Sequence, residues 1–139
     1  VMRNVAECDI FLAVAAVSDY RPQRVSDQKI HKTDACIALD LERNPDIVAT
    51  VGQLTPKPFI VGFAAETEDL LVQAQAKRER KRMDMIVAND VSVGMGGDQN
   101  AVTVISATQT VTLPLASKQQ LARELVRLIA ENCQNKGTE

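Results

Sequence analysis

Lysines stand at two places in this sequence where a polyanion could be held. Lys29 and Lys32 flank Ile30 and His31, and Arg21 and Arg24 precede them on the same polar run. A basic cluster outside the core can close over a row of phosphates and neutralise charge while phosphoryl chemistry proceeds. The same composition also describes an ordinary solvated loop. Lys77 and Lys81 are four residues apart, so a helix puts them on one face, among Arg78, Arg80 and Arg82. Like charges repel there, and the negative end of the helix dipole offsets part of that cost. A phosphate receiver and a plain solvated helix end both fit this pattern.

Small and neutral residues supply the other candidates. Ala13, Ala15 and Ala16 leave the backbone uncovered at the end of an apolar run, so a flat base or a ribose can approach main-chain groups. Asp19 can then accept from a hydroxyl or an amine; alternatively the alanines fit beneath a crossing helix and Asp19 caps a turn. Asn44, Pro45, Asp46 and Ile47 open a helix whose first amides lack intrahelical partners, where an anion or a base carbonyl can dock, although every helix has such a start. Residues 62–67 (GFAAET) lead out of another apolar run and expose Phe63, either as a stacking ring or as core filler. Gly94, Gly96 and Gly97 hint at a phosphate loop, but residues 98–105 read as loop and strand where a dinucleotide fingerprint requires a helix.

Short β-rich apolar runs alternating with amphipathic stretches predict an α/β fold, Rossmann-like and layered, with a mostly parallel sheet, a C-terminal β-hairpin and a terminal helix. Residues 10–17 (IFLAVAAV) read as a central strand buried on both faces, residues 21–33 as a polar excursion, and residues 37–41 as a half-buried strand. A short helix is expected near residues 45–53, because Asn caps well and Pro and Asp suit a first turn. Residues 59–64 (FIVGFA) and 85–88 (MIVA) read as buried strands, with a helix between them capped by Thr67 and running to about Met83. Residues 102–105 and 111–113 flank a connection short enough for a hairpin. Ser117 then begins a helix with Leu121, Leu125, Leu128 and Ile129 on one face, fraying after Asn132. The opening residues VMRNVAEC resemble the tail of a helix entering a strand, so the chain is expected to begin inside a domain.

The totals narrow the function classes. A chain of 139 residues, 45% hydrophobic, suits a single domain over residues 1–139. With 16 basic and 18 acidic residues the net charge is -2, which gives no global attraction for nucleic acid or anionic lipid. No run approaches the roughly 18 apolar residues of a membrane span, and no basic-then-apolar leader opens the chain, so a cytoplasmic location is expected. Cys8, Cys36 and Cys133 are far apart and form no CxxC pair, and His31 is the only histidine. A disulfide framework, a zinc cage and a histidine-dependent triad are all unsupported.

Taken together, AAVSDYRP (residues 15–22), KIHK (29–32), NPDI (44–47), VGFAAET (61–67), Lys77 with Lys81, and AND (88–90) resemble the phosphopantothenoylcysteine synthetase family in order and spacing. The resemblance covers nearly the whole chain. It implies a ligase joining 4'-phosphopantothenate to cysteine with CTP and magnesium, through an acyl-cytidylate. It further implies a nucleotide site formed by Ala13, Val14, Ala15, Asp19, Asn44, Pro45, Asp46, Ile47, Phe63, Lys77 and Lys81. Lys29 would be the residue nearest the chemistry, on a flap reaching across a homodimer. The family pattern near the flap is usually KIKK, where this chain has His31. The resemblance also implies an upstream glycine-rich segment and essential asparagine, and fusion to a flavin-dependent decarboxylase that would hold the FMN. Two other readings are a nucleotide-binding fragment without catalysis and a nicotinamide-dependent oxidoreductase, the latter lacking its fingerprint.

Overall fold

Side chains alternate across a strand, so an apolar run buried on both faces must sit between two layers. Two runs do so in the computed structural model, which describes residues 1–30, 36–66, 69–90 and 97–136. They are β4 (Phe59–Glu66) and β5 (Met85–Asp90). Phe59, Val61, Met85 and Val87 point to one face, together with Val102, Val104 and Leu113, where they meet Leu121, Leu128 and Ile129. Ile60, Ala64, Ile86, Ala88 and Ile105 point to the other, against Val51, Ala74 and Met83.

The elements in chain order are a 3-10 turn (Val5–Glu7), β1 (Ile10–Ala13), β2 (Tyr20–Pro22), β3 (Leu41–Arg43) and α1 (Ile47–Gly52), followed by β4, α2 (Leu70–Arg80) and β5. The hairpin β6 (Gln99–Ser106) and β7 (Thr110–Ser117) and the helix α3 (Lys118–Lys136) complete them. The main sheet has the order β1-β4-β5-β6-β7, with β1, β4 and β5 parallel and the hairpin antiparallel at one side. α3 covers one face and α1 with α2 the other, which is the expected α/β Rossmann-like layering. β2 and β3 form a separate antiparallel ribbon.

Several boundaries differ from the sequence reading. The first apolar run yields a strand of only four residues, paired on one side with β4. Ile10 and Leu12 are 40% and 47% exposed, because α3 packs against β6 and β7 and does not reach this edge. The half-buried strand expected at residues 37–41 is also not found. β3 begins at Leu41, and Ile37, Leu39 and Leu41 are all exposed. α2 starts after Asp69, with Thr67 outside the described residues, and stops at Arg80, short of Met83. α3 continues past Asn132 to Lys136, steadied by Asn132 donating from its side chain to the Leu128 carbonyl at 2.8 Å. Its start agrees with expectation: Ser117 Oγ accepts from the Gln120 amide at 3.2 Å. β6 follows Gly97 with no helix between, while Gly94 and Gly96 lie outside the described residues. No helix among the described residues is long and apolar enough to cross a membrane.

Candidate functional site

Parallel strands present their carboxyl ends at one rim, and ligands of α/β sheets settle in the crevice outside those ends. A cavity of about 660 Å³ opens there, over β1, β4 and β5. The chain leaving β1 contributes Ala13, Val14, Ala15 and, further on, Asp19. The turn into α1 contributes Asn44, Pro45, Asp46 and Ile47. Phe63 comes from β4, Lys77 and Lys81 from the end of α2, and Asn89 from β5. Residues separated by up to 76 positions thus meet at one wall-to-wall space of nucleotide size. Lys29 is exposed and does not line it, while His31 and Lys32 lie outside the described residues.

Local hydrogen bonds hold the two loops at this rim together. The Asn44 amide donates to the Asp19 carbonyl at 2.8 Å, and Asn44 Nδ2 donates to the Ser18 carbonyl at 2.8 Å. Arg21 donates from Nη1 to Asn44 Oδ1 at 3.4 Å and pairs through Nε with Glu42 Oε1 at 2.7 Å. Asn44 is therefore a tie between the β1 exit and the α1 entrance, and its backbone carries the turn. The cap of α1 is Asp46: its Oδ1 accepts from the Ala49 amide at 3.0 Å, and its Oδ2 pairs with Lys81 Nζ at 2.9 Å. Partial burial pushes the Asp46 carboxyl up, but the Ala49 amide and Lys81 outweigh it and hold the pKa below the usual 3.8. The open amides read from the sequence are thus replaced by a carboxylate. A six-residue helix with that cap offers no seat for a phosphate; a neutral edge of a base or a sugar suits it better.

Phe63 combines both of its sequence readings. Its ring packs against the cluster under α3, and it is only partly buried where it lines the cavity. Gly62 beside it has a steric purpose: a β-carbon there would collide with Met83 Sδ, which fills the cavity floor. Asn89 had no role assigned from the sequence beyond its motif. Its side-chain oxygen is sealed from solvent and has no hydrogen-bond partner among the described residues. A buried carbonyl left unpaired costs about 1–3 kcal/mol, which a ligand N–H or O–H would recover. The signal available in sequence was a polar residue closing the third parallel strand. Among the described residues no group of three or more His, Cys, Asp or Glu side chains could hold a metal ion.

Residues 1–133 match the C-terminal domain of the DNA/pantothenate metabolism flavoproteins. The chain belongs to this family. A coenzyme A biosynthesis bifunctional protein, CoaBC, from Vibrio cholerae is 46% identical over 137 residues, covering 94% of this chain and 34% of that protein. The Escherichia coli protein of the same name is 39% identical over 130 residues, covering 88% of this chain and 32% of its own length. The crystal structure of the C-terminal domain of a CoaBC protein superimposes with a TM-score of 0.77 at 32% identity, over 96% of this chain and 59% of that one. The chain therefore spans about a third of its curated relatives. That superposition takes in nearly all of this chain, its parallel strands, hairpin and terminal helix included.

Proposed function

We propose that this chain supplies the nucleotide-binding part of a ligase in coenzyme A biosynthesis, one that joins 4'-phosphopantothenate to cysteine at the expense of CTP. The observation that carries this reading is the convergence of Asp19, Asn44, Phe63, Lys77 and Asn89 on one cavity at the strand ends. A carboxylate is a poor acyl donor, so its oxygen first attacks the α-phosphate of CTP. Pyrophosphate leaves, and the cysteine amine then displaces CMP from the acyl-cytidylate. Both partners in the first step are anions, so a cationic, partly dehydrated cleft lowers its barrier.

The roles divide by chemistry. Phe63 offers a ring edge or face to the base, and Asn89 Oδ1 offers an acceptor to a 4-amino group or a ribose hydroxyl. Lys77 places an ammonium beside the phosphates. Magnesium takes most of its ligands from phosphate and water and needs only one or two carboxylates, so Asp19 at the cavity wall fits as the residue that would share it. When bound, that ion would neutralise charge on the triphosphate. Lys29 would have to reach the cleft of another protomer, which accords with a flap across a homodimer. The exposed Tyr20, Leu39 and Leu41 on and beside the β2-β3 ribbon give such a dimer an apolar surface. Fusion to an FMN-holding, flavin-dependent decarboxylase and a cytoplasmic location complete this reading.

The position of Lys29 outside the cavity favours a second reading, in which the chain binds CTP without turning it over. Incubation with CTP, 4'-phosphopantothenate, cysteine and magnesium separates the two. Pyrophosphate release dependent on 4'-phosphopantothenate is the expected result for the ligase. Saturable CTP binding with no pyrophosphate supports the second reading, and absence of both contradicts the nucleotide assignment.

A further inference from the structure

One side of the cavity is apolar. Ile47 and Val48 from α1, Gly62 and Ala64 from β4, and Met83 just before β5 line it there, and the side chains among them belong to the core cluster under α1 and α2. Met83 is the floor of that side, 5% exposed, with its sulfur lying in the space that a β-carbon on Gly62 would take. One residue of α2 holds its backbone at both ends. The Met83 amide donates to the Arg78 carbonyl at 2.9 Å, and Arg78 Nη1 donates to the Met83 carbonyl at 3.4 Å. The Asp84 amide then donates to the Ile60 carbonyl at 3.0 Å, which joins the floor to β4. In the same cluster Val51, Ile60 and Ile86 are fully buried, so the packed side has no room for a displaced thioether and the cavity is the open side.

The phosphates and ribose of a nucleotide need polar partners, whereas the faces of its base sit well on apolar atoms, a polarisable thioether included. We propose that Met83, seated in the notch left by Gly62, is a specificity-determining residue: its thioether sets the depth of the base slot, so that a single-ring pyrimidine fits and a two-ring purine does not. The pinned backbone fixes the height of the floor, and the missing β-carbon at Gly62 lets the sulfur lie low enough to leave that depth. Removing the γ-carbon, sulfur and methyl of Met83 deepens the slot; a methyl added at Gly62 lifts the sulfur and makes it shallower. This inference rests on the nucleotide reading and adds to it the feature that selects among nucleotides.

Equilibrium binding of CTP, UTP and ATP, each without the other substrates, tests the floor. The wild type should bind ATP roughly tenfold more weakly than CTP, and Met83→Ala should remove that difference while leaving the ratio of CTP to UTP affinity unchanged, the scale expected for a methylene or two in an apolar pocket. Gly62→Ala should weaken CTP binding by roughly tenfold with little change in the thermal midpoint, because only the flexible end of Met83 has to move. Adding Met83→Ala to Gly62→Ala should return CTP affinity to within about threefold of the wild type, since the two substitutions act on one contact. If loss of a buried side chain keeps Met83→Ala from folding, Met83→Val is read in its place, and Gly62→Ala decides on its own. A wild type that binds ATP as tightly as CTP overturns the proposal, as does an unchanged ATP-to-CTP ratio in the folded Met83 variant or full CTP affinity in Gly62→Ala. In each of those cases CTP still binds, so the nucleotide reading stands; a wild type that binds no nucleotide overturns that reading and the slot with it.

Discussion

Asp46 shows how one side chain serves local structure and the cavity at once. Its carboxyl is held below 3.8 by the Ala49 amide and Lys81, so the folded state favours its ionised form. A group with a depressed folded pKa stabilises the protein above its unfolded value and loses that contribution as pH falls through the folded one. The stability difference between wild type and Asp46→Ser should therefore be constant above about pH 5 and shrink as pH drops below the ordinary carboxylate range. With Asp46 about half exposed, the plateau should be small, about 0.5–1 kcal/mol. Urea unfolding at several pH values measures it, and a difference that grows on acidification would refute the assignment. Asn89 makes the opposite case, a polar atom that gives the empty protein nothing. Asn89→Ala removes that unpaired acceptor, so it should leave the thermal midpoint no lower while weakening CTP binding by roughly tenfold, the worth of one hydrogen bond to a buried acceptor. Equal affinity by calorimetry would remove Asn89 from the site. Neither role was legible beforehand: Asp46 and Lys81 are 35 positions apart, and sequence spacing carries no record of a pairing made between two helix ends.

Among the elements, those with a strong local pattern were legible and those defined by a neighbour were not. β4, β5, the hairpin and α3 appear where apolar periodicity and turn signals placed them. Among the described residues β1 pairs with β4 alone and stands partly open, which a run apolar on both faces does not reveal by itself. The seat of α1 on α2 depends on one glycine. Gly52→Ala improves helix propensity by about 1 kcal/mol, yet its methyl meets the Lys81 backbone carbonyl, which cannot swing aside as a flexible side chain can. The net expectation is destabilisation by about 1–3 kcal/mol, read as a lower urea midpoint with unchanged slope. A stabilised variant would show that the two helix ends are not in contact.

For the molecule as a whole, the fold decides which sequence candidates can cooperate. Three parallel strands end at one rim, so the exits from β1, β4 and β5 bring Asp19, Phe63 and Asn89 together, and α1 and α2 add Asn44, Lys77 and Lys81. Eleven of the twelve residues named from the sequence, all but Lys29, line that cavity. Lys29 stands apart because it belongs to the polar excursion between β2 and β3, which the sheet does not position. The measurement that bears most directly on this arrangement is a CTP titration followed by backbone amide chemical shifts. Saturable changes confined to residues 13–19, 44–47, 62–65 and 77–89, with β7 and α3 silent, are the predicted result. Changes centred on the β6-β7 hairpin or α3, or none that saturate, would contradict a nucleotide site at the strand ends.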